Sequence, residues 1–251
     1  MKTFIAFSGG VESTTLCLLF GHKADAIFAD TGDEHREMYE RLKYAELALK
    51  AIHPSFRIIR VKAGESLHDY IKRKRVFPSP VLRFCTRMFK IEPINAYLKT
   101  YAPCKLMIGL NADETERTGA YPIQGVTFEY PLQDLSLTRQ KCIALLRQYN
   151  LEPRLPVYMR RGGCTFCFYK SRKEYAAIAH LDPALANELA DFEDAINSDQ
   201  YGKPWKIVKD IPEGFRAFFE QERSTSLFKP EEMYAQQPNI SESPCGVFCH
   251  R

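Results

Sequence analysis

Short apolar runs alternate with segments of helical period through the first half of the chain. Thr3–Phe7 has the composition of a buried strand, and Glu12–Gly21 follows as a helix with Leu16, Leu19 and Phe20 as its apolar positions. Ala24–Ala29 predicts a second strand. Glu34–Ile52 predicts a helix, because Met38, Leu42, Ala45 and Leu49 recur at the three- and four-residue spacing of one face. Phe56–Val61 is a third strand, Leu67–Lys74 a shorter helix, Cys85–Tyr101 another helix, and Lys105–Leu110 a fourth strand. Strands alternating with helices in this way predict an α/β fold, a doubly wound parallel sheet covered on both faces. Ligands of such sheets bind beyond the carboxyl ends of the strands.

The pattern changes near Leu132. Leu137–Tyr149 has helical period, Leu151–Val157 is proline-rich, and Lys173–Ser198 is helical apart from a break at Asp182-Pro183. The tail from Ile211 carries few strand signals. This divides the chain into an α/β unit over residues 1–131 and a helical, cysteine-bearing C-terminal region over 132–251.

Composition narrows the picture further. With 251 residues and 45% hydrophobic content, the chain is an ordinary globular one. It lacks the run of about 18 apolar residues that a membrane-spanning helix needs. Met1–Phe7 has neither the apolar region nor the cleavage site of a signal peptide, so an intracellular, cytoplasmic protein without a membrane partner is expected. The net charge of +4 permits phosphorylated small molecules or nucleic acid without demanding either. Of the basic clusters, Lys72-Arg73-Lys74-Arg75 reads as the solvated face of a helix, whereas Arg160-Arg161 borders a cysteine pair.

The first strand runs straight into Ser8-Gly9-Gly10-Val11-Glu12-Ser13. Strand, glycine loop and helix in that order make a phosphate site: the glycines admit the anion, and their N–H groups join the helix N-terminus in attracting it. Ser8 and Ser13 add hydroxyl donors, and Glu12 or Ser13 can help order Mg²⁺. The plain alternative is a tight turn without a ligand. Asp30-Thr31-Gly32-Asp33-Glu34 ends the second strand; there Asp30 can accept from a ribose hydroxyl and Thr31-Gly32 can line an adenine, or either residue can merely cap the next helix. Gly109-Leu110-Asn111-Ala112-Asp113-Glu114-Thr115-Glu116-Arg117 ends the fourth strand, with Arg117 in reach of a phosphate. Arg87 and Lys90, three residues apart, put two cations on one helical face as an anion clamp.

These strings together resemble one superfamily. Ser8–Ser13 resembles the SGGxxS signature of the PP-loop ATP pyrophosphatases, the adenine nucleotide alpha hydrolase type, with Glu12 where many relatives carry Asp. The segments at Asp30–Glu34 and Gly109–Arg117, together with Cys85–Pro93, resemble the phosphoadenosine-phosphosulfate reductase branch. So do Tyr130–Asp134, followed by Leu135 where tryptophan is usual, and Gly163–Cys167. In motif pattern the closest resemblance is to the ATP pyrophosphatases of DNA phosphorothioation. The resemblance implies a Rossmann-like sheet that binds ATP and Mg²⁺. It implies nucleotide contacts from Ser8, Gly9, Gly10, Val11, Glu12, Ser13, Asp30, Thr31, Gly109, Asp113 and Glu114, and catalytic roles for Ser8, Ser13, Arg87, Lys90 and Arg117.

Eight cysteines in a reducing compartment raise the question of metal or redox chemistry. Cys164-x-x-Cys167 alone fits zinc, an iron–sulfur cluster, a redox pair or nothing. With Cys85 and one of Cys245 or Cys249 it makes the four thiolates of a [4Fe–4S] cluster, with Zn²⁺ as the alternative. Cys245 is taken as the fourth ligand. Cys17 and Cys142 lie on apolar helix faces and read as core.

Three functions follow as expectations. The first is an ATP pyrophosphatase that adenylates an acceptor, nucleic acid among the candidates, so that sulfur from a cysteine desulfurase or another donor can enter. The second is a sulfonucleotide reductase using a C-terminal cysteine. The third is a nucleotide-binding subunit without turnover. A homo-oligomer is expected in each case.

Overall fold

The computed structural model describes residues 1–115, 123–156, 158–159, 162–198, 205–208 and 210–225. Five parallel strands form its sheet: β1 (Lys2–Phe7), β2 (Asp25–Asp30), β3 (Ile58–Lys62), β4 (Cys104–Met107) and β5 (Val126–Glu129). Their spatial order is β3-β2-β1-β4-β5. In register, Phe4–Phe7 lies beside Asp25–Phe28, and Lys2–Ile5 beside Cys104–Met107. The sheet is thus the doubly wound parallel one that the alternating pattern predicts.

Both faces of β1 are buried, and the side-chain period of two sorts them. Ile5 and Phe7 join a core with α1 (Val11–Phe20), α2 (Arg36–Ile52) and, through Cys142 and Leu146, α7 (Arg139–Gln148). Phe4 and Ala6 face the other way, onto Ile94 and Leu98 of α5 (Glu92–Lys99). The predicted stripe of α2 is in place, with Met38, Leu42, Ala45 and Leu49 all buried.

A third core joins α3 (Leu67–Lys74) to α8 (Arg172–Leu181), α9 (Pro183–Asn197) and α10 (Phe215–Thr225). Its aromatic content is high: Phe166, Tyr175, Phe192, Phe215, Phe218 and Phe219 are buried together. Ser171 starts α8 with a capping box, and the Asp182 side chain caps α9, which accounts for the break between them.

The structure departs from the sequence reading in three places. β5 and α10 are additional elements. A short α6 (Pro131–Asp134) precedes α7. The helix expected over 85–101 is instead α4 (Phe84–Thr86), a π-helical turn over Arg87–Ile91 and then α5.

Chain direction fixes where a ligand belongs. From β1 the connection runs to β2 on one side, while β4 lies on the other. The loops after β1 and β4 therefore part, leaving the crevice at which open α/β sheets bind ligands. Ser8–Gly10 follows β1, and Gly109–Glu114 lies just beyond β4.

Candidate functional site

The chain turns at the end of β1 through Gly9, whose φ of 75° strains any side-chain-bearing residue. Gly10 is the N-cap of α1, at φ −79° and ψ 176°, and being glycine it offers no side-chain cap. The first-turn amides of α1 thus have no side-chain acceptor from the cap position. Ser13 Oγ binds the loop to itself, accepting from Ser8 N at 3.2 Å and lying 3.2 Å from Ser8 Oγ. Behind the loop, the buried Arg41 donates from Nε to Gly9 O at 3.0 Å and from Nη2 to Leu151 O at 2.8 Å. Burial lowers its pKa to about 10, so it remains a cation at neutral pH.

Gly109 lets the β4 loop approach. A Cβ on it would stand 3.1 Å from Ser13 N and 3.1 Å from Glu12 Cβ. Just beyond, Asn111 Nδ2 donates to Glu12 Oε1 at 3.2 Å. Asp113 accepts from Arg139 N at 3.0 Å and so helps fasten the start of α7. Glu114 accepts from Asn111 N at 3.4 Å. The Arg139 guanidinium closes this set by bonding the Glu12 carboxylate. Glu12 is therefore engaged by two partners. Arg117 lies outside the described residues.

On the other side of β1, Asp30 is buried at the end of β2. Its carboxylate accepts from Gly32 N at 3.0 Å and Tyr39 Oη at 2.8 Å, and pairs with Lys62 at 3.0 Å. Burial opposes its charge, yet Tyr39, Gly32 and Lys62 together hold its pKa below the ordinary value. Thr31, also buried, donates to Glu34 at 3.2 Å and lies 3.5 Å from Cys164 Sγ. Both side chains are turned into the protein. Burial, with Glu34 close by, raises the Asp33 pKa to about 7 despite the hydrogen bond from His68 N.

The cysteine loop docks on this β2 loop. Glu34 and Cys164 form a bridge, His35 N donates to Gly163 O at 3.3 Å, and Thr165 N donates to Asp33 O at 3.1 Å. Lys90 Nζ reaches Glu34 Oε1 at 3.6 Å, and Cys164 Sγ lies 3.9 Å from the same oxygen. Burial pushes the thiols of Cys164 and Cys85 upward, while Lys90 pulls both the other way. Cys167 is near enough to interact electrostatically with each. The structure thus brings three predicted thiols into one neighbourhood. They do not close around an ion, however: among the described residues no group of three or more His, Cys, Asp or Glu could hold a metal. Cys245 lies outside the described residues.

The expected clamp of Arg87 and Lys90 on one face is corrected by the structure. The intervening turn is π-helical, and its i→i+5 spacing breaks the i, i+3 alignment of an α-helix. Arg87, 72% exposed, pairs with Glu92 at 3.6 Å, five residues on. Lys90, 22% exposed, points to Glu34 instead.

Two site residues escaped the sequence reading. Arg41 interrupts an apolar stripe at the same spacing as Met38 and Ala45, and a cation there is a signal. Arg139 opens a helix, where the macrodipole disfavours a cation, and that too is a signal.

Comparison with known proteins gives three findings. The profile of the family described as phosphoadenosine phosphosulfate reductase domain matches residues 2–130. An uncharacterized protein of Methanocaldococcus jannaschii is 24% identical over 201 residues, which is 74% of this chain and 46% of that one. The chain thus spans about half the length of this curated relative. The crystal structure of phosphoadenylyl-sulfate (PAPS) reductase from Candida auris, a phosphate complex, is similar over 61% of this chain and 74% of that one. Its identity is 16% and its TM-score 0.44. Among the described residues, no helix is long and apolar enough to cross a membrane.

Proposed function

The chain belongs to the family of phosphoadenosine phosphosulfate reductase domains, and we propose that it is an ATP pyrophosphatase adenylating an acceptor for sulfur transfer. The observation that carries this reading is the loop Ser8–Ser13. A glycine turn at the sheet's switch point leads into a helix whose cap position is glycine, and two serine hydroxyls stand beside it. That arrangement suits a chain of phosphates.

In this reading Ser8, Gly9, Gly10, Val11, Glu12 and Ser13 surround the β- and γ-phosphates, with Mg²⁺ neutralising part of their charge. An acceptor oxygen attacks the α-phosphorus, the bond from α-phosphorus to the bridging oxygen breaks, and pyrophosphate leaves. Arg117 is proposed to contact the anion, and Lys90 to add positive potential from the cysteine side. Gly109, Asp113 and Glu114 hold the loop in shape from the β4 side, while Asp30 and Thr31 brace the β2 side. Nucleic acid is the proposed acceptor, as in DNA phosphorothioation, with a cysteine desulfurase or similar donor supplying the sulfur. Cys85, Cys164, Cys167 and Cys245 are proposed to hold a [4Fe–4S] cluster, or Zn²⁺ in its place, and the protein to act as a homo-oligomer. Sulfur ligands are the donor chemistry such a cluster uses, and the positive charge of Lys90 favours the thiolate form of Cys85 and Cys164 against the effect of burial.

A second reading rests on the family match itself: a sulfonucleotide reductase whose nucleophile is Cys245 or Cys249. The test is a comparison of substrates. Pyrophosphate from ATP supports the first reading, and sulfite from adenylyl sulfate or its 3′-phosphate supports the second.

A further inference from the structure

Glu12 poses an electrostatic problem for the loop. It sits in the first turn of α1, where the helix N-terminus favours an anion, and there it would repel a phosphate chain seeking the same amides. Arg139 answers it. Its guanidinium bonds Glu12 Oε1, the oxygen that also accepts from Asn111 Nδ2. Asn111 is buried and is itself tied down, its Oδ1 accepting from Asp113 N at 2.8 Å. The Arg139 backbone is anchored on Asp113, so the base of the side chain is fixed as well. The pair is nevertheless open to solvent, with 24% of the Arg139 side chain and 16% of the Glu12 side chain exposed.

We infer that Arg139 is a phosphate-binding residue of this loop, reading the length of the phosphate chain; the inference rests on the ATP reading above. A guanidinium presents five N–H donors in a planar fork that matches phosphate oxygens. One Arg139 nitrogen serves Glu12, and among the described residues the rest of the fork has no acceptor. A cation at the first position of a helix is unfavourable unless an anion offsets it. Glu12 supplies one such anion, and a β- or γ-phosphate supplies a second. Because Arg139 stands beside the first turn of α1, it distinguishes nucleotides that reach this end from those that do not.

Calorimetry with Mg-ATP and with AMP tests this, with thermal melts on every variant. Arg139→Gln should weaken ATP at least tenfold and AMP less than twofold. Arg139→Lys keeps the charge without the fork and should fall between, which also serves if Arg139→Gln does not fold. The double variant Glu12→Gln with Arg139→Gln separates contact from neutralisation. It should stay as weak for ATP as Arg139→Gln; recovery of wild-type affinity would mean that Arg139 only cancels Glu12, and would overturn the inference. So would equal losses for ATP and AMP, or unchanged ATP affinity in Arg139→Lys and Arg139→Gln. If Gly10→Asp abolishes ATP binding while Arg139→Gln spares it, the inference fails and the loop reading stands. If the wild-type protein does not bind ATP, both fail.

Discussion

Gly109 lies so close to Ser13 that a Cβ on the glycine would stand 3.1 Å from the serine's amide nitrogen. That contact seats the loop after β4 against the first turn of α1, where the phosphate chain is proposed to bind. Gly109→Val should therefore cost about 1–3 kcal/mol of stability, as overpacking does. It should also weaken ATP by moving the Ser13 amide. Gly64, where an added Cβ would meet no other group within 4 Å, is the control, and Gly64→Ala should change neither property. Denaturant melts and calorimetry on both variants check this; a Gly109→Val protein with wild-type ATP affinity would show the contact to be immaterial.

Gly10 separates folding from binding. Its backbone is extended, suited to any N-cap residue, and a Cβ would meet nothing nearer than Ser8 Oγ at 3.4 Å. Gly10→Asp should cap α1, leaving stability unchanged or raised by a few tenths of a kcal/mol. The new carboxylate would occupy the place of the phosphates and abolish ATP binding. A destabilised Gly10→Asp protein that still bound ATP would contradict both halves.

The Asp33 carboxyl gives the fold a pH signature. Its pKa rises from an ordinary 3.8 to about 7 in the folded chain. Between those values the folded state holds a proton that the unfolded chain has released. Stability should therefore decline as pH rises from about 4 to about 7, by at most about 1.4 kcal/mol per pH unit from this group. Asp33→Asn should flatten that part of the profile. Denaturant titrations across the window check it, and an identical slope in the variant would count against the burial of Asp33.

Much of the sheet was legible because buried parallel strands are continuous apolar runs, as in Phe4–Phe7 and Ala26–Ala29. β5 was not, since Val126–Glu129 is a four-residue edge strand that is only partly buried. The turn at Arg87–Ile91 was hidden because periodicity assumes an α-helical rise, and a π-turn widens it without altering composition. The phosphate loop is a local feature and could be read. The Glu12–Arg139 pair joins residues far apart in the chain, and only the packing of α7 on α1 reveals it.

The thiols give a prediction of composition. Anaerobically purified protein should carry iron and acid-labile sulfide, and Cys164→Ser or Cys167→Ser should lose both. Cys17→Ser should keep them, because Cys17 is buried in the core against α1 neighbours, away from Cys164. Metal analysis with the visible spectrum decides it. A colourless wild-type protein containing one zinc ion would replace the cluster with a structural site.

The central claim is that the Ser8–Ser13 loop commits ATP to cleavage between its α- and β-phosphorus atoms. Phosphorus NMR of the intact protein with Mg-ATP and a nucleic-acid acceptor follows that cleavage directly. The account predicts that pyrophosphate appears along with AMP or an adenylylated acceptor, and that Gly10→Asp abolishes both signals. An unchanged ATP spectrum from protein that releases sulfite from phosphoadenylyl sulfate under a dithiol reductant would contradict it.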